Sequence, residues 1–314
     1  MLRRLASDVW RNVRRGGPNV VRELLSRTYY TYAVSTDGTS VFSADWDLLI
    51  VLDACRADLW NEVAAEHRAF GQADSLTSVG ASSTEWLTDT FHGLPDTALE
   101  NTAYVTGNPY TDEYLDGDRF GRLDEVWRYA WDDDLGTIPA APLTDRAIAA
   151  GRQGDFDRLI VHYMQPHFPC VPRPAAADGI ELDRFGDRPL SIWEELRFGE
   201  RDVDDAWALY RENLRYVLDE VADLLRNVDA ETAVVTADHG NAFGEYGLYG
   251  HVSGVSIPPV REVPQYVTAA TDEGTRTPDE YAAANDSSDS GTGADATDSV
   301  DVAARLRALG YDEE

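Results

Sequence analysis

Four short apolar runs, Leu48–Leu52, Ala103–Thr106, Leu159–Tyr163 and Ala233–Thr236, constrain this chain more than any other feature. None alternates apolar with polar residues, as a strand wetted on one face would. Each is short, continuous and rich in branched or aromatic side chains, which predicts strands buried on both faces of a parallel sheet. Between the third and fourth runs, Trp207, Tyr210, Leu214, Val217, Leu218, Val221, Leu225 and Val228 recur at helical spacing, with Arg, Asp and Glu opposite. Strand, long helix and strand make a βαβ unit, so the expected class is α/β, a parallel sheet covered by helices. The 314 residues suffice for one large domain of this kind or two small ones.

The pattern also sets the boundaries. Residues 1–44 read as a basic N-terminal extension and 45–270 as the domain that holds the strands. Residues 271–297 read as an acidic disordered linker, because Asn285–Asp295 has nothing to bury. At 298–314 an amphipathic pattern returns at Val302, Ala303, Leu306 and Leu309, stopped by Gly310, and predicts a C-terminal helix packing back on the domain. There is no internal repeat.

Charge narrows the function classes. The chain holds 57 acidic and 27 basic residues, a formal charge of −30, and all of the basic residues are Arg. A carboxylate-rich surface stays hydrated where salt screens charge over roughly 3 Å, as it does at molar strength. A GC-rich genome also turns Lys codons into Arg; we read the composition as that of a halophile's cytoplasmic protein. Such a surface repels a phosphate backbone, so nucleic acid is excluded as a partner. Cys55 and Cys170 allow no disulfide framework and no cysteine zinc site. No apolar run is long enough to cross a bilayer. Arg3, Arg4, Arg11, Arg14 and Arg15 alternate with Leu2, Leu5, Val9, Trp10 and Val13, without the apolar core of a secretory signal. We expect an arm packed on its own domain, with peripheral contact to a membrane as the second reading. Tyr29, Tyr30 and Tyr32 are expected to pack with that arm, a carbohydrate platform being the alternative.

The strands end in chemistry. Leu48–Leu52 runs straight into Asp53, which either caps a helix expected over 54–65 or stands at the carboxyl edge of the sheet, where open α/β folds bind ligands. Ala233–Thr236 runs into Ala237–Asp238–His239–Gly240–Asn241, which can offer a carboxylate oxygen and an imidazole nitrogen to a metal. Two acids at one sheet edge repel unless a cation or a hydrogen-bond network lies between them. Ser82 or Ser83, followed by Thr84 and Glu85, caps a helix, or places a hydroxyl at its positive end, or both. His162 falls on the third strand, His167 in the loop beyond it, and His251 shortly after His239.

This ordered set resembles the alkaline phosphatase superfamily, in particular its sulfatase-like branch. An early strand-end Asp is followed by a hydroxyl turn, then Pro166–His167–Phe168–Pro169, then Asp238–His239–Gly240 and the residues to His251. Arg261–Glu262–Val263–Pro264 and the terminal Leu306–Tyr311 are also similar to segments of that branch. The resemblance implies a three-layer sandwich around a mostly parallel sheet. It implies one divalent cation (Ca, Mn, Mg or Zn) on Asp53, Asp238, His239 and the nucleophilic hydroxyl. Ser82 is first choice for that hydroxyl, three residues before Glu85; Ser83 is second and Thr84 third. His167 and His251 would contact the ester or protonate its leaving group, with His162 and Asn241 as further substrate contacts. Three residues depart from the pattern. Neither the Pro nor the Arg that directs formylglycine formation follows Ser82, Ala54 stands where a second Asp is common, and Gln165 replaces a further acidic ligand. One metal and an unmodified Ser are therefore expected, acting on phosphate more readily than on sulfate esters. The alternatives are a transferase moving a phospho-alcohol group onto a glycan or lipid, and a non-catalytic binder of sulfated or phosphorylated glycans.

Overall fold

The computed structural model of the chain describes residues 18–174 and 191–279. The basic arm at 1–15, the linker stretch 285–295 and the expected C-terminal helix at 298–314 lie outside the described residues. The strands are β1 (Leu48–Leu52), β2 (Asp74–Thr77), β3 (Thr102–Thr106), β4 (Arg122–Glu125), β5 (Arg158–Tyr163) and β6 (Ala230–Thr236), then β7 (Ala242–Phe243), β8 (Tyr249–Gly250) and β9 (Glu262–Ala270). Seven of them form one sheet in the order β2–β9–β6–β1–β5–β3–β4, while β7 and β8 pair separately. The helices are α1 (Pro18–Tyr32), α2 (Ala57–Ala64), α3 (Ser83–Phe91), α4 (Thr111–Tyr114), α5 (Ala140–Gln153), α6 (Ile192–Phe198), α7 (Val203–Leu225) and α8 (Pro258–Arg261).

The continuous apolar runs are the central strands, and burial on both faces is what makes them continuous. All five residues of β1 are buried. Leu48, Ile50 and Leu52 meet α2, α5 and α7 on one face, whereas Leu49 and Val51 meet α3 and Trp46 on the other. Two helical layers therefore cover the sheet. β1 runs parallel to β5 and β6, with Leu52 opposite Tyr163 and Val51 opposite Thr236. That register brings the carboxyl ends of three adjacent strands to one edge.

The sheet is not wholly parallel. β9 runs antiparallel to both β2 and β6. Its pairing with β2 uses residues 262–265 and its pairing with β6 begins at Tyr266, so the missing N–H of Pro264 interrupts no ladder on the β6 side. β2, Asp-Ser-Leu-Thr, is half exposed and carries no periodic signal. Among the described residues no helix is long and apolar enough to cross a membrane.

Two expectations are corrected at the ends of the domain. Residues 271–279, expected within the disordered linker, are fixed to the helical layer by two arginines. Arg276 bonds Asp145 and Glu220 at 2.7 Å each, and its backbone N–H reaches Asn227. Arg152 holds Asp272 through two bonds of 2.8 Å. Arg276→Ala is expected to lower stability by about 2–3 kcal/mol, read as a shifted urea midpoint, because its ion pairs with Asp145 and Glu220 are lost together. The tyrosines of α1 are the second correction. Tyr29 and Tyr32 are exposed rather than packed, and only Tyr30 is half-buried.

Candidate functional site

The site begins where β1 stops. Helix α2 starts only at Ala57, with Arg56 as its N-cap residue and no side-chain cap, so Asp53 does not cap it. The intervening Ala54 adopts φ +60°, a left-handed conformation that costs an Ala roughly 1–2 kcal/mol. Two contacts hold it there: its N–H donates to Asp238 Oδ1 at 2.9 Å, and Tyr210 donates its hydroxyl proton to the Ala54 carbonyl. The turn swings the Asp53 side chain into the sheet edge, where it is fully buried. Asp53 Oδ2 accepts from Asn108 at 3.1 Å and from Ser83 at 3.4 Å, while Oδ1 has no hydrogen-bond partner.

Asp238 and His239 arrive from β6. Asp238 Oδ1 accepts from the backbone N–H groups of Ala54 and His239, and Oδ2 accepts from Ser83 at 2.7 Å. His239 Nδ1 lies 3.0 Å from the Gly240 carbonyl, which can only accept, so Nδ1 carries the proton. The lone pair on Nε2 then faces Ser83 Oγ at 3.4 Å, Asp238 Oδ2 at 3.5 Å and Asp53 Oδ1 at 3.7 Å. Gly240 is required by close approach: a Cβ there would meet the Pro259 carbonyl at 2.3 Å and Arg56 Cγ at 2.8 Å.

Ligand atoms of Asp53, Asp238 and His239 all lie within 4.8 Å of one another. Two carboxylates, one imidazole nitrogen and a hydroxyl form a donor set suited to a single divalent cation. The orphaned buried Oδ1 of Asp53 is the atom such an ion would satisfy, so the residues fit the group. Burial and the neighbouring Asp238 hold the Asp53 carboxyl well above the usual range. Asp238 is also raised by burial, but His239, His162 and its hydrogen bonds outweigh that and hold it below the usual range.

Of the hydroxyls in this turn, the one that meets Asp53, Asp238 and His239 is Ser83, the second choice under the resemblance. Ser82 caps α3: its Oγ accepts from the Glu85 N–H at 3.4 Å and meets Thr84 Oγ1 at 3.0 Å and Ser253 Oγ at 3.1 Å. A capping side chain must turn back over the first helical turn, so the next residue projects into the sheet edge. Ser83 is fully buried there, at the positive end of a nine-residue helix.

The histidines divide. His162 is fully buried between Trp86 and Tyr104; Nδ1 pairs with the Tyr104 hydroxyl at 2.9 Å, and Nε2 points toward Asp238 Oδ2 at 3.7 Å. Burial lowers its pKa to about 4. It therefore packs behind Asp238, among Trp86 and Tyr104. His167 and His251 do come together, with ring centroids 5.3 Å apart, and His251 lies 4.5 Å from the His239 ring. Burial and the neighbouring imidazoles depress both, His167 to about 4. Asn241 supports this cluster, its Oδ1 lying 2.9 Å from His251 Nδ1.

Three residues that build the site escaped the sequence reading. Asn108 follows β3, a fourth strand end, and that position was the available signal. Arg56 is buried, forks onto Asp58, reaches the Asn241 carbonyl at 2.9 Å and Glu245 at 2.7 Å, and so joins the β1 and β6 ends. Asn213 of α7 donates to the carbonyls of Pro166, His167 and Pro169, and accepts from the Val171 N–H. A polar residue on the apolar face of the long helix was its signal. Asn213→Ala is expected to cost about 2–3 kcal/mol in urea unfolding, while bound metal is unchanged because the residue touches only the His167 loop.

No family model and no curated protein matches the sequence. Solved structures do match. The lipooligosaccharide phosphoethanolamine transferase A (EptA) of Neisseria meningitidis aligns with 71% of this chain at 14% identity and a TM-score of 0.50. The alignment covers 47% of that protein, so this chain spans about half its length. The C-terminal periplasmic domain of phosphoethanolamine transferase EptC from Campylobacter jejuni covers 71% of this chain and 78% of its own, at 13% identity and TM-score 0.44. A 2-O GAG sulfatase covers 76% and 65%, at 12% identity and TM-score 0.44. With its seven-stranded, mostly parallel sheet between two helical layers, the chain has the fold of the alkaline phosphatase and sulfatase-like proteins.

Proposed function

We propose that this chain is a metal-dependent enzyme that cleaves an anionic ester by attack of Ser83, with phosphate esters as its substrate class. The contacts of one hydroxyl carry the reading: Ser83 Oγ sits 2.7 Å from Asp238 Oδ2 and 3.4 Å from both Asp53 Oδ2 and His239 Nε2. Asp53, Asp238, His239 and Ser83 would hold one divalent ion, Ca, Mn, Mg or Zn. Bound there, the ion supplies Lewis acidity, favouring the ionised hydroxyl and offsetting charge on the ester oxygens. Ser83 Oγ forms the bond to phosphorus as the bond from phosphorus to the departing alcohol oxygen breaks. His167 and His251 contact the ester oxygens or pass the proton that Ser83 gives up to that alcohol. Water then cleaves the seryl ester and frees Ser83. His162 and Asn241 act at one remove, packing against Asp238 and orienting His251.

Phosphate is favoured over sulfate because Ser83 is followed by Thr84, Glu85, Trp86 and Leu87, again without the Pro and Arg of the formylglycine signal. The same seryl ester passed to an alcohol acceptor would make the chain a transferase on a glycan or lipid; EptA, the neighbour at TM-score 0.50, is named as a transferase of phosphoethanolamine. The test is bound metal in protein purified at high salt, with turnover of nitrophenyl phosphate, bis-nitrophenyl phosphate and nitrophenyl sulfate under added Mn, Mg, Ca or Zn. Metal-dependent cleavage of a phosphate ester is expected, and product analysis with added glycerol separates hydrolysis from transfer. Turnover of the sulfate alone would overturn the substrate class. No metal and no turnover would leave a binder of sulfated or phosphorylated glycans.

A further inference from the structure

Helix α1 is built inside out. Its exposed residues include Val21, Leu24, Leu25, Tyr29 and Tyr32, which recur every three or four positions and so form one stripe. Leu25 is 66% and Tyr32 85% exposed. Among the described residues of α1 the one fully turned into the protein is a charge instead: Glu23 is 5% exposed and forms two hydrogen bonds with Arg197 of α6, while Tyr30 is half-buried on a small apolar cluster. An amphipathic helix packed for its domain's stability does the reverse, burying its apolar face and wetting its charges. The helix is nonetheless firmly seated. The Tyr30 carbonyl accepts from the Ser256 N–H, the Tyr30 ring meets Tyr246 at 5.2 Å, and Arg22 packs over Gly247. An apolar stripe on a seated helix has an occupant to find.

Charge says which. Residues 1–27 hold seven Arg against two acids, Asp8 and Glu23, whereas the rest of the chain holds 20 Arg against 55 acids. Positive charge is thus concentrated in and just before the helix that bears the stripe. We propose that α1 and the basic residues preceding it dock the protein on an anionic lipid surface, the stripe entering the apolar boundary and the arginines pairing with headgroups. A second copy of this chain fits less well, because two such copies would bring arms of like charge together. The remaining acidic surface is repelled by the same lipid, so the domain docks in one orientation, arm first.

That orientation has a consequence for substrate, which rests on the reading of the site as an ester-cleaving centre. The segment seating α1 is the one that carries His251, and its Ser253 touches Ser82 beside the metal triad. The helix that bears the stripe is therefore seated on a segment that also reaches the site. The ester reached from a docked enzyme is one carried at a lipid surface.

Vesicle flotation tests docking without reading activity, so its failure is separable from failure of the catalytic reading. The full chain is expected to float with phosphatidylcholine vesicles containing phosphatidylglycerol and to float less with phosphatidylcholine alone. Leu24→Gln, Leu25→Gln and Tyr29→Ser combined should lower the floating fraction about tenfold or more. Replacing Arg3, Arg4, Arg11, Arg14 and Arg15 with Gln should remove the preference for anionic vesicles. A Tyr32→Trp variant gives a second readout that leaves the stripe apolar: its emission should shift to the blue on adding anionic vesicles. A chain that stays with the pellet and shows no such shift overturns the proposal. So does a stripe variant that floats like the parent, or one whose only change is from dimer to monomer in sedimentation, which would give the face to a second copy.

Discussion

Ser83→Ala is expected to remove turnover almost completely, by a factor on the order of 10^4 or more, whereas Ser82→Ala should keep most of it. The two neighbours have separate jobs in the structure. Ser82 Oγ is occupied with Glu85, Thr84 and Ser253, and losing a helix cap costs about 1 kcal/mol of stability. Ser83 Oγ is the hydroxyl that touches both strand-end acids and His239. Initial rates on a nitrophenyl phosphate ester, with circular dichroism to confirm folding, separate the outcomes. Should Ser82→Ala be the silent enzyme and Ser83→Ala the active one, the nucleophile assignment moves back by one residue.

Asp238→Ala should take bound metal from about one ion per chain to almost none, and turnover with it. In the proposed site Asp238 would offer the ion its Oδ2, and its Oδ1 accepts from the N–H of the Ala54 turn that aims Asp53. Removing it therefore loses two ligands' worth of geometry with one side chain. Stripping metal from the parent protein with a chelator should lower its melting temperature by several degrees, and restoring the ion should recover it. An ion present at a hundred times its Kd stabilises by about 2.7 kcal/mol. The effect has a sign in pH. The raised Asp53 carboxyl adds stability to the metal-free protein below its unfolded pKa, and that contribution is lost as pH rises through its elevated folded value. Asp238, held low, loses its contribution only as pH falls through its depressed value. Stabilisation by added metal should accordingly grow as pH climbs through the range where Asp53 ionises. Metal analysis and thermal melts across pH check both statements. A metal-free protein that melts identically with and without added ion at every pH would remove the metal from the site.

Much of the site could be read from strand ends alone. An apolar run that stops in Asp53 and another that stops beside Asp238 and His239 are local features, and local sequence shows them. Asn108 stands in an equivalent place after β3, but Asn is a common turn residue, and its bond to Asp53 has no local trace. Asn213 was visible only as a polar interruption of an apolar helical face, and what it binds, three carbonyls of a loop more than forty residues earlier, has no local trace. The antiparallel edge was hidden for a similar reason. β2 is held by backbone pairing to β9, and its half-exposed side chains follow no period.

The sequence by itself determined the class of fold, since strands buried on both faces need helices above and below them. It also determined which strand ends carry acids and histidines, and that the charge of the chain is divided between a basic start and an acidic remainder. Only the tertiary structure separated the surroundings of Ser82 from those of Ser83. A hydroxyl that caps a helix and a hydroxyl that meets the strand-end acids are the same pattern in one dimension, and the direction of a helix relative to a sheet edge tells them apart. It likewise placed His162 behind Asp238, set His167 beside His251, and turned the apolar side of α1 outward. Each of those outcomes depends on which surfaces meet across long separations in sequence, and packing alone fixes that.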